Sequence, residues 1–137
     1  MRILIVEDEA ISREKLLAIF GNYGYCYGAS SGSEAIERYI EASREKKPFD
    51  IITLDISLGD MSGMDILIDI RHKEEQMKLP EAKQVRIIMV SSHQDQNHIN
   101  TCFTAGCNSY LVKPVSRDSV AKCLREVYTE YIQKAIF

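Results

Sequence analysis

The sequence predicts an α/β fold of the doubly wound type, in which five parallel strands form one sheet between two layers of helices. Five short apolar segments of strand length alternate with five helix-like segments along the chain. The strand-like segments are apolar at consecutive positions, which is typical of strands whose two faces are both covered. Parallel strands need crossover connections, and the helices between them supply these connections.

The first two strand–helix units are predicted from patterns near the N-terminus. Arg2–Val6 is an apolar run and is predicted as the first strand. Ala10–Phe20 follows as a helix with an imperfect apolar period, and Gly21 is placed to end it. Tyr25–Ala29 is a weak second strand. Ser31–Glu34 matches a capping box, in which a serine and a glutamate three residues later satisfy a helix N-terminus.

The middle of the chain continues the alternation. The apolar face of the second helix is formed by Ala35, Ile36, Tyr39 and Ile40. Asp50–Asp55 is rich in β-branched residues and is predicted as the third strand. Gly63 to about Gln76 forms a third helix, and the polar stretch around Pro80 is a loop. Val85–Val90 is the fourth strand.

The last two units complete the pattern. The face of a fourth helix is predicted from Ile99, Cys102, Phe103 and Gly106. Ser109–Val112 is a short fifth strand. The last helix has a clear apolar stripe, which consists of Val120, Leu124, Val127, Tyr128 and Tyr131. Together, the (βα)5 units favour a flavodoxin-like sheet in the order 2-1-3-4-5.

Length, composition and charge indicate one domain over residues 1–137. The chain has 45% hydrophobic residues, 27% charged residues and a formal net charge of −3, which is ordinary for a globular domain. The net charge gives no sign of the strongly basic surface that is typical of nucleic-acid-binding proteins, so direct binding of nucleic acid is not expected. No apolar run approaches the roughly 20 residues of a membrane span. We therefore expect a cytoplasmic protein whose four cysteines are reduced.

The chemistry is expected beyond the carboxyl ends of the strands, where open α/β sheets bind their ligands. The first strand is followed by Glu7 and Asp8, and the third strand ends in Asp55. Ser91 follows the fourth strand, and Lys113 follows the fifth. Three carboxylates, a hydroxyl and an ammonium group are therefore predicted to converge at one edge of the sheet.

Three carboxylates in one place repel one another unless protons or cations are bound. One lysine cannot neutralise three acids, and carboxylate oxygens suit Mg²⁺, a hard ion that keeps several waters and accepts phosphate oxygens. The residues therefore indicate a Mg²⁺ site, with Mn²⁺ as an alternative occupant. The simpler interpretation is that each acid only caps a helix N-terminus. It does not explain why three acids, a hydroxyl and a lysine share neighbouring strand ends.

Four motifs resemble those of the CheY-like receiver domains of two-component response regulators. They are LIVEDE at Leu4–Glu9, LDISLGDMSG at Leu54–Gly63, MVSS at Met89–Ser92 and YLVKP at Tyr110–Pro114. Each motif is weak alone, whereas their order and spacing are specific, and the resemblance extends over essentially the whole chain. It implies a signalling protein, rather than a turnover enzyme, that is phosphorylated in a phosphorelay.

The resemblance implies a role for each matching position. Asp55 is expected to accept the phosphoryl group. Glu7 and Asp8, together with Asp55, are expected to hold Mg²⁺ directly or through water, and the backbone carbonyl of Ser57 is implied as a further ligand. Lys113 is expected to contact a phosphoryl oxygen.

A conformational switch is implied by two further positions. Ser91 matches the hydroxyl that hydrogen-bonds the phosphoryl group, and Tyr110 matches the switch aromatic. On phosphorylation, Ser91 is expected to move toward the phosphoryl group, and Tyr110 to rotate into the vacated space. Ser57 and His93 match positions that tune the phosphoryl lifetime. For His93, a role as general base in hydrolysis and a role as a plain exposed residue both remain open.

The sequence departs from the usual pattern at three of these motif positions. Glu7 replaces a more common aspartate, Gly59 stands where a proline is usual, and Ser91 replaces a threonine. None of these changes removes a chemical group that the reaction needs. In such domains, the proline at the position of Pro114 commonly follows a cis peptide bond.

The resemblance also implies the partners. The phosphoryl donor would be a sensor histidine kinase or a histidine phosphotransfer protein. The switched surface would consist of the fourth helix, the fifth strand and the last helix. A downstream protein target, or a second copy of the domain in a homodimer, would bind there.

Three other classes of protein are alternatives to this interpretation. A pseudo-receiver, which is an interaction module that takes no phosphate, is favoured when the acceptor aspartate, the acidic pair or the lysine is lost, and all are present here. A phosphohydrolase of the haloacid dehalogenase type needs a second aspartate where this chain has Ser57. A flavodoxin-type flavin carrier needs a phosphate-binding loop where Glu7–Glu9 would repel phosphate.

Overall fold

In a computed structural model of the protein, five strands alternate with five helices in the predicted order. The structure describes the backbone of residues 1–136 and the side chains of residues 1–128. The strands are β1 (Arg2–Val6), β2 (Tyr25–Ala29), β3 (Ile51–Asp55), β4 (Arg86–Ser91) and β5 (Ser109–Val112). The helices are α1 (Ala10–Phe20), α2 (Gly32–Arg44), α3 (Gly63–Gln76), α4 (Gln96–Ala105) and α5 (Arg117–Ile136).

The five strands form one parallel sheet in the order β2-β1-β3-β4-β5. In the register of the sheet, Val6 of β1 pairs with Leu54 of β3, and Asp55 pairs with Val90 of β4. The last residues of these strands therefore lie side by side at one edge. The predicted fold class and strand order are confirmed.

A hydrophobic core lies on each face of the sheet. On one face, Leu4, Ile52 and Met89 of the strands pack in a buried cluster with residues of α2, α3 and α4, including Ile66. On the other face, strand residues such as Ile3 cluster with residues of α1 and α5. Residues that follow one another in a strand thus enter opposite cores, which explains why the strands are apolar at consecutive positions.

Two strand boundaries differ by one residue from the prediction. The third strand begins at Ile51 rather than Asp50, and the Asp50 carboxylate accepts a hydrogen bond from the backbone N–H of Arg2 at 2.8 Å just ahead of the strand. The fourth strand runs over Arg86–Ser91 rather than Val85–Val90. The backbone N–H of Val85 donates to Glu74 Oε2 at 2.7 Å instead of to a neighbouring strand. A short 3₁₀ helix, Glu81–Lys83, lies within the predicted loop.

The helix ends follow the predicted signals with local changes. Ser31 caps α2 by accepting a bond from the backbone N–H of Glu34, but the Glu34 carboxylate returns to Ser30 rather than to Ser31. Gly21 ends α1 in a right-handed conformation. Gly106 is not part of the face of α4, because it is the C-cap and has a φ of 113°, a left-handed conformation that favours glycine.

The apolar patterns of α1 and α5, which cover one face of the sheet, differ because the two helices bury their apolar residues differently. Ile11 of α1 is 76% exposed, whereas Leu16 and Phe20 are buried, so the apolar residues of α1 do not lie on one face. Val120, Leu124 and other stripe residues of α5 are buried against the sheet, as predicted. Tyr131 of the predicted stripe lies outside the described side chains.

The cysteines are thiols within the folded domain. Cys102, Cys107 and Cys123 are buried and Cys26 is half-buried, and all four are free. Burial raises the pKa of Cys107 to about 12, which keeps this thiol protonated. None of the helices among the described residues is both long enough and apolar enough to span a bilayer.

A buried ion pair joins α3 to the starts of β4 and β5. Arg71 Nη1 donates to Glu74 Oε1 at 2.6 Å and to the Val85 carbonyl at 2.8 Å. Its other nitrogens donate to the Gly106 carbonyl and to Asn108 Oδ1. The Glu74 carboxylate is 1% exposed, so Arg71 is the cation that neutralises a buried charge.

We expect Arg71→Met to lower the free energy of unfolding by about 3–5 kcal/mol, because it leaves the Glu74 carboxylate buried without its cation. Arg38→Met is the matched control. It breaks an exposed pair with Glu34 at the same kind of helical spacing, and it should cost less than about 0.5 kcal/mol. Urea denaturation measures both values.

The double variant Arg71→Met/Glu74→Leu should regain much of the loss, because neither charge is then buried alone. If the double variant were no more stable than Arg71→Met, the ion pair would not be the source of the effect.

Candidate functional site

Three carboxylates meet at the carboxyl edge of the sheet. Glu7 and Asp8 directly follow β1, and Asp55 is the last residue of β3. Each of the three offers a carboxylate oxygen, and these oxygens lie within 4.8 Å of one another. Glu7 and Asp55 are buried, whereas Asp8 is exposed. The cluster is therefore open to solvent on the side of Asp8 and enclosed on the side of Glu7.

Lys113, which follows β5, reaches into this cluster. Its Nζ lies 3.3 Å from both carboxylate oxygens of Glu7 and 3.3 Å from Asp55 Oδ2. Its backbone N–H donates to the Ser91 carbonyl at 2.8 Å, which fixes the turn after β5. The Lys113–Pro114 peptide bond is cis. One ammonium group is thus shared between two buried carboxylates.

The crowding of like charges changes the protonation of the cluster. Burial and the neighbouring Asp55 raise the pKa of Glu7 to about 7, although Lys113 opposes the rise. Burial acts to lower the pKa of Lys113, but the charges of Asp55 and Glu7 outweigh it, so the pKa rises. Lys113 therefore stays protonated. Its single positive charge does not fully neutralise the negative charge of the carboxylates around it.

The donor set of the cluster fits a hard divalent cation. All of its donors are carboxylate oxygens, which Mg²⁺ and Ca²⁺ prefer over nitrogen or sulfur. The exposed side at Asp8 leaves room for the waters that Mg²⁺ retains. An added cation would also offset the negative charge that Lys113 leaves uncompensated. Glu7, Asp8 and Asp55 can therefore hold a metal ion.

Ser57 contacts Asp55 through its backbone. Its N–H donates to Asp55 Oδ1 at 3.1 Å, and its side chain is exposed. Asp55 Oδ2 faces Lys113, so its two oxygens have different neighbours. The role of the Ser57 carbonyl as a metal ligand stays a prediction, as does the tuning role of the exposed side chain.

Ser91, His93 and Tyr110 are linked through one loop between β4 and α4. The backbone N–H of His93 donates to Ser91 Oγ at 3.1 Å, and the Tyr110 hydroxyl donates to the His93 carbonyl at 3.0 Å. Ser91 is buried, and burial raises the pKa of the half-buried Tyr110 phenol. The ring centroid of His98 lies 5.0 Å from that of His93 and 6.2 Å from that of Tyr110.

Two positioning contacts were missed in the sequence. Arg13 of α1 donates to the Glu7 carbonyl at 2.8 Å and so fixes the turn that carries the acids. The Asp60 carboxylate accepts from the backbone N–H groups of Gly32 and Ser33 at 2.8 and 3.0 Å, which ties the β3–α3 loop to the start of α2. An acid in a loop gives no signal of which helix it caps 27 or more residues away.

Comparison with known proteins identifies the family. The family model described as the response regulator receiver domain matches residues 3–125. The chain belongs to this family.

The receiver domain has relatives both as single domains and within longer proteins. It is 36% identical over 129 residues to the chemotaxis protein CheY of Thermotoga maritima, an alignment that covers 92% of this chain and 96% of that protein. It is 31% identical over 124 residues to the alginate biosynthesis transcriptional regulatory protein AlgB of Pseudomonas aeruginosa. There the alignment covers 87% of this chain but only 24% of the relative.

Solved receiver structures show the same fold. A crystal structure of a CheX–CheY complex from Borrelia burgdorferi with BeF3 and Mg²⁺ superposes with a TM-score of 0.77 at 28% identity. The match covers 93% of this chain and 89% of the solved chain. A receiver domain protein from Clostridium thermocellum matches with a TM-score of 0.76 at 20% identity, and covers 99% of this chain and 98% of that one. The chain is thus a CheY-like receiver in sequence and in fold.

We expect Gly63→Ala to destabilise the receiver domain by about 1–3 kcal/mol, because overpacking forces the backbone to shift. A Cβ on Gly63 would overlap the carbonyl of Asp55. Gly59→Ala is the control in the loop that precedes α3, where the new Cβ would lie 3.6 Å from Asp8 Oδ2, an ordinary contact. It should leave stability unchanged or raise it by up to about 1 kcal/mol. Thermal unfolding measures both, and equal losses would refute the packing argument.

Proposed function

We propose that this receiver domain accepts a phosphoryl group on Asp55 in a two-component phosphorelay. The observation that supports it most strongly is the arrangement of Asp55 beside Glu7, Asp8 and Lys113 at the carboxyl edge of the sheet. A nucleophilic carboxylate, oxygen ligands for a cation and a fixed ammonium group are the parts that phosphoryl transfer to aspartate needs.

In the proposed reaction, a carboxylate oxygen of Asp55 forms a bond to phosphorus while the bond from phosphorus to a donor histidine nitrogen breaks. The electron pair of that bond stays on the imidazole, which then takes up a proton. Mg²⁺, when bound by Glu7, Asp8 and Asp55, supplies positive charge beside the transferred group. Because the transition state is loose, the protein acts mainly by positioning groups and by neutralising charge.

The residues around Asp55 then have separate tasks. Lys113 lies 3.3 Å from Asp55 Oδ2, which supports a role in which its ammonium group would contact a phosphoryl oxygen on Asp55. The N–H of Ser57 holds Asp55 Oδ1 and orients the carboxylate. Ser91 carries its hydroxyl at the end of β4, next to β3, and would donate it to the phosphoryl group.

Phosphorylation would act on the surface of α4, β5 and α5 through Ser91. Movement of the Ser91 hydroxyl toward the phosphoryl group would break the bond from the N–H of His93. The His93 carbonyl also accepts the Tyr110 hydroxyl, which already lies close to Ser91, so the same loop shift would reposition the Tyr110 ring. This surface would then bind a downstream target protein or a second copy of the domain.

The wider assignment is also a proposal. It takes residues 1–137 as one receiver domain that acts in the cytoplasm without binding nucleic acid or membrane directly. A sensor histidine kinase or a histidine phosphotransfer protein would donate the phosphoryl group. The Borrelia burgdorferi CheY complex, which contains CheX, BeF3 and Mg²⁺, supports both a metal-dependent site and a protein partner for a relative of this chain. A phosphorylation-independent pseudo-receiver is the alternative, and Mn²⁺ is the alternative occupant of the metal site.

We expect acetyl phosphate with Mg²⁺ to add one phosphoryl group to the wild-type chain, as measured by intact-protein mass. Asp55→Asn should give no adduct, because an amide is not a nucleophile of this kind, and removal of Mg²⁺ with EDTA should abolish the adduct in the wild type. Asp50→Asn is the matched control, because Asp50 directly precedes the other end of the same strand. It should be labelled normally.

Rapid hydrolysis could hide an adduct, so BeF3⁻ binding is measured in parallel by NMR. Absence of both the adduct and BeF3⁻ binding in the folded wild type would reject the phosphoacceptor proposal in favour of the pseudo-receiver.

We expect Ser91→Ala to separate phosphorylation from the switch. With 3-fluorotyrosine in the protein, the ¹⁹F signal assigned through Tyr110→Phe should shift on BeF3⁻ addition in the wild type. The signal should stay in place in Ser91→Ala, even though Asp55 still binds BeF3⁻, because the link to the His93 loop is lost. Ser92→Ala removes a neighbouring hydroxyl as the control and should behave like the wild type. A full shift in Ser91→Ala would contradict this coupling.

The two roles left open for His93 make different predictions for dephosphorylation. A general base predicts that His93→Ala slows loss of the phosphoryl group about 10-fold or more, since such groups contribute roughly 10²–10⁴. His72→Ala, which changes an exposed histidine on α3, is the control. We expect the rate of dephosphorylation to be unchanged in both variants, because the ring of His93 is exposed and packs against His98. A slower dephosphorylation in His93→Ala, but not in His72→Ala, would instead support the role of His93 as general base.

A further inference from the structure

A second concave site lies at the opposite edge of the sheet from Asp55. It is a cavity of about 560 Å³ between the α2–β3 connection, the α3–β4 connection and Tyr128 of α5. Its apolar wall includes Phe49, Met77, Leu79 and Ala82. Its volume falls in the range of small-molecule sites, roughly 300–1,000 Å³. The proposed phosphorelay chemistry makes no use of this cavity.

The charges around this cavity are opposite in sign to those of the whole chain. Its lining includes the cations Lys46, Lys83 and Arg86 and one carboxylate, Asp50. One oxygen of Asp50 accepts the backbone N–H of Arg2 at 2.8 Å, so this carboxylate is already engaged. The whole chain, by contrast, carries a formal charge of −3. An apolar wall with a cationic rim is complementary to an amphipathic anion.

The backbone supplies an independent observation at Lys46. Lys46 and Lys78 have φ values of 59° and 54°, and they are the non-glycine residues with positive φ among the described residues. Each stands just after a helix, where a left-handed residue closes the end and glycine is the usual choice. The backbone N–H groups of Lys46 and Lys47 donate back into α2 in this way. A lysine at such a position carries strain that glycine would avoid, and such strain often accompanies a functional site.

We propose that this cavity binds an organic anion with a flat apolar body and a single acidic group, such as an aryl carboxylate or sulfonate. The apolar body would contact Phe49, Met77 and Leu79. The acidic group would lie at the rim with Lys46 and Lys83. This site is separate from Asp55, so its test does not depend on phosphorylation.

Lysines at helix C-termini also interact favourably with the helix dipole, which is a competing reason for their presence. The chain provides a matched pair that separates the two explanations. Lys46 and Lys78 occupy the same left-handed position after α2 and α3, but only Lys46 lines the cavity. A change to glycine at either position relieves the same strain and removes the same charge from a helix end.

The test uses the fluorescent probe 8-anilinonaphthalene-1-sulfonate with the full folded chain, and its neutral analogue N-phenyl-1-naphthylamine. The wild type should bind one sulfonate saturably. Lys46→Gly and Lys83→Gln should each lower the affinity for the sulfonate about two- to five-fold, as expected for the loss of an exposed charge contact. The affinity for the neutral amine should not change. Lys78→Gly should leave both affinities unchanged. Thermal unfolding should show higher midpoints for both glycine variants, which excludes loss of folding as the cause.

Two further variants confirm where the probe binds. Ala82→Trp fills the cavity and should abolish binding of both probes. Met77→Glu places a carboxylate on the cavity wall and should lower the affinity for the sulfonate more than the affinity for the amine. The proposal fails if the folded wild type shows no saturable binding, or if Ala82→Trp binds normally. It also fails if Lys46→Gly and Lys78→Gly have the same affinity for the sulfonate.

Discussion

The sharing of one lysine by two buried carboxylates is the interaction on which the site depends. Parallel pairing of β1 with β3 brings Glu7 next to Asp55, and the return of the chain through β5 brings Lys113 to both. Burial and like charge raise the pKa of Glu7 to about 7, so the cluster is poorly neutralised by Lys113 alone. The uncompensated negative charge lowers the stability of the folded chain. The same charge favours the binding of a cation at this site. The instability of the site and its proposed chemistry therefore have the same origin.

The two ends of α4 are held very differently, which favours a switch at one end only. At its C-terminus, the Gly106 carbonyl accepts from Arg71, and Arg71 also binds Asn108 at the start of β5. At its N-terminus, residues 92–97 are all exposed, and the loop is linked to Ser91 and Tyr110 by single hydrogen bonds. His98 Nε2, near the start of α4, is buried without a hydrogen-bond partner among the described residues, which costs free energy in this arrangement. In the proposed switch, a movement of Ser91 would therefore act on the start of α4, while the far end of the helix stays anchored.

The fold and most of the site could be predicted because both depend on short-range patterns and on a general property of parallel sheets. Apolar runs fixed the strands to within one residue, and the rule that strand ends meet at one edge grouped the acids with Lys113. The parts that could not be predicted depend on contacts between distant segments. The capping of α2 by Asp60 joins residues 28 positions apart, and the Arg71 contact with Asn108 spans 37 positions. Local patterns contain no information about such partners.

The second cavity illustrates the same limit at the opposite edge of the sheet. The carboxyl edge is formed by strand ends, whose neighbours follow from strand order, so its chemistry can be read once the order is known. The amino edge is closed by two long connections, and their shape depends on how α2 and α3 end. Lys46 and Lys78 end these helices in a left-handed conformation that sequence rules assign to glycine. The sequence pattern located the end of α3 at about Gln76, but it indicated no left-handed turn after either helix, so the walls of the cavity could not be derived from it. Lys46 therefore combines two features that the fold class does not predict, because it stands where glycine is usual and it lines the cavity.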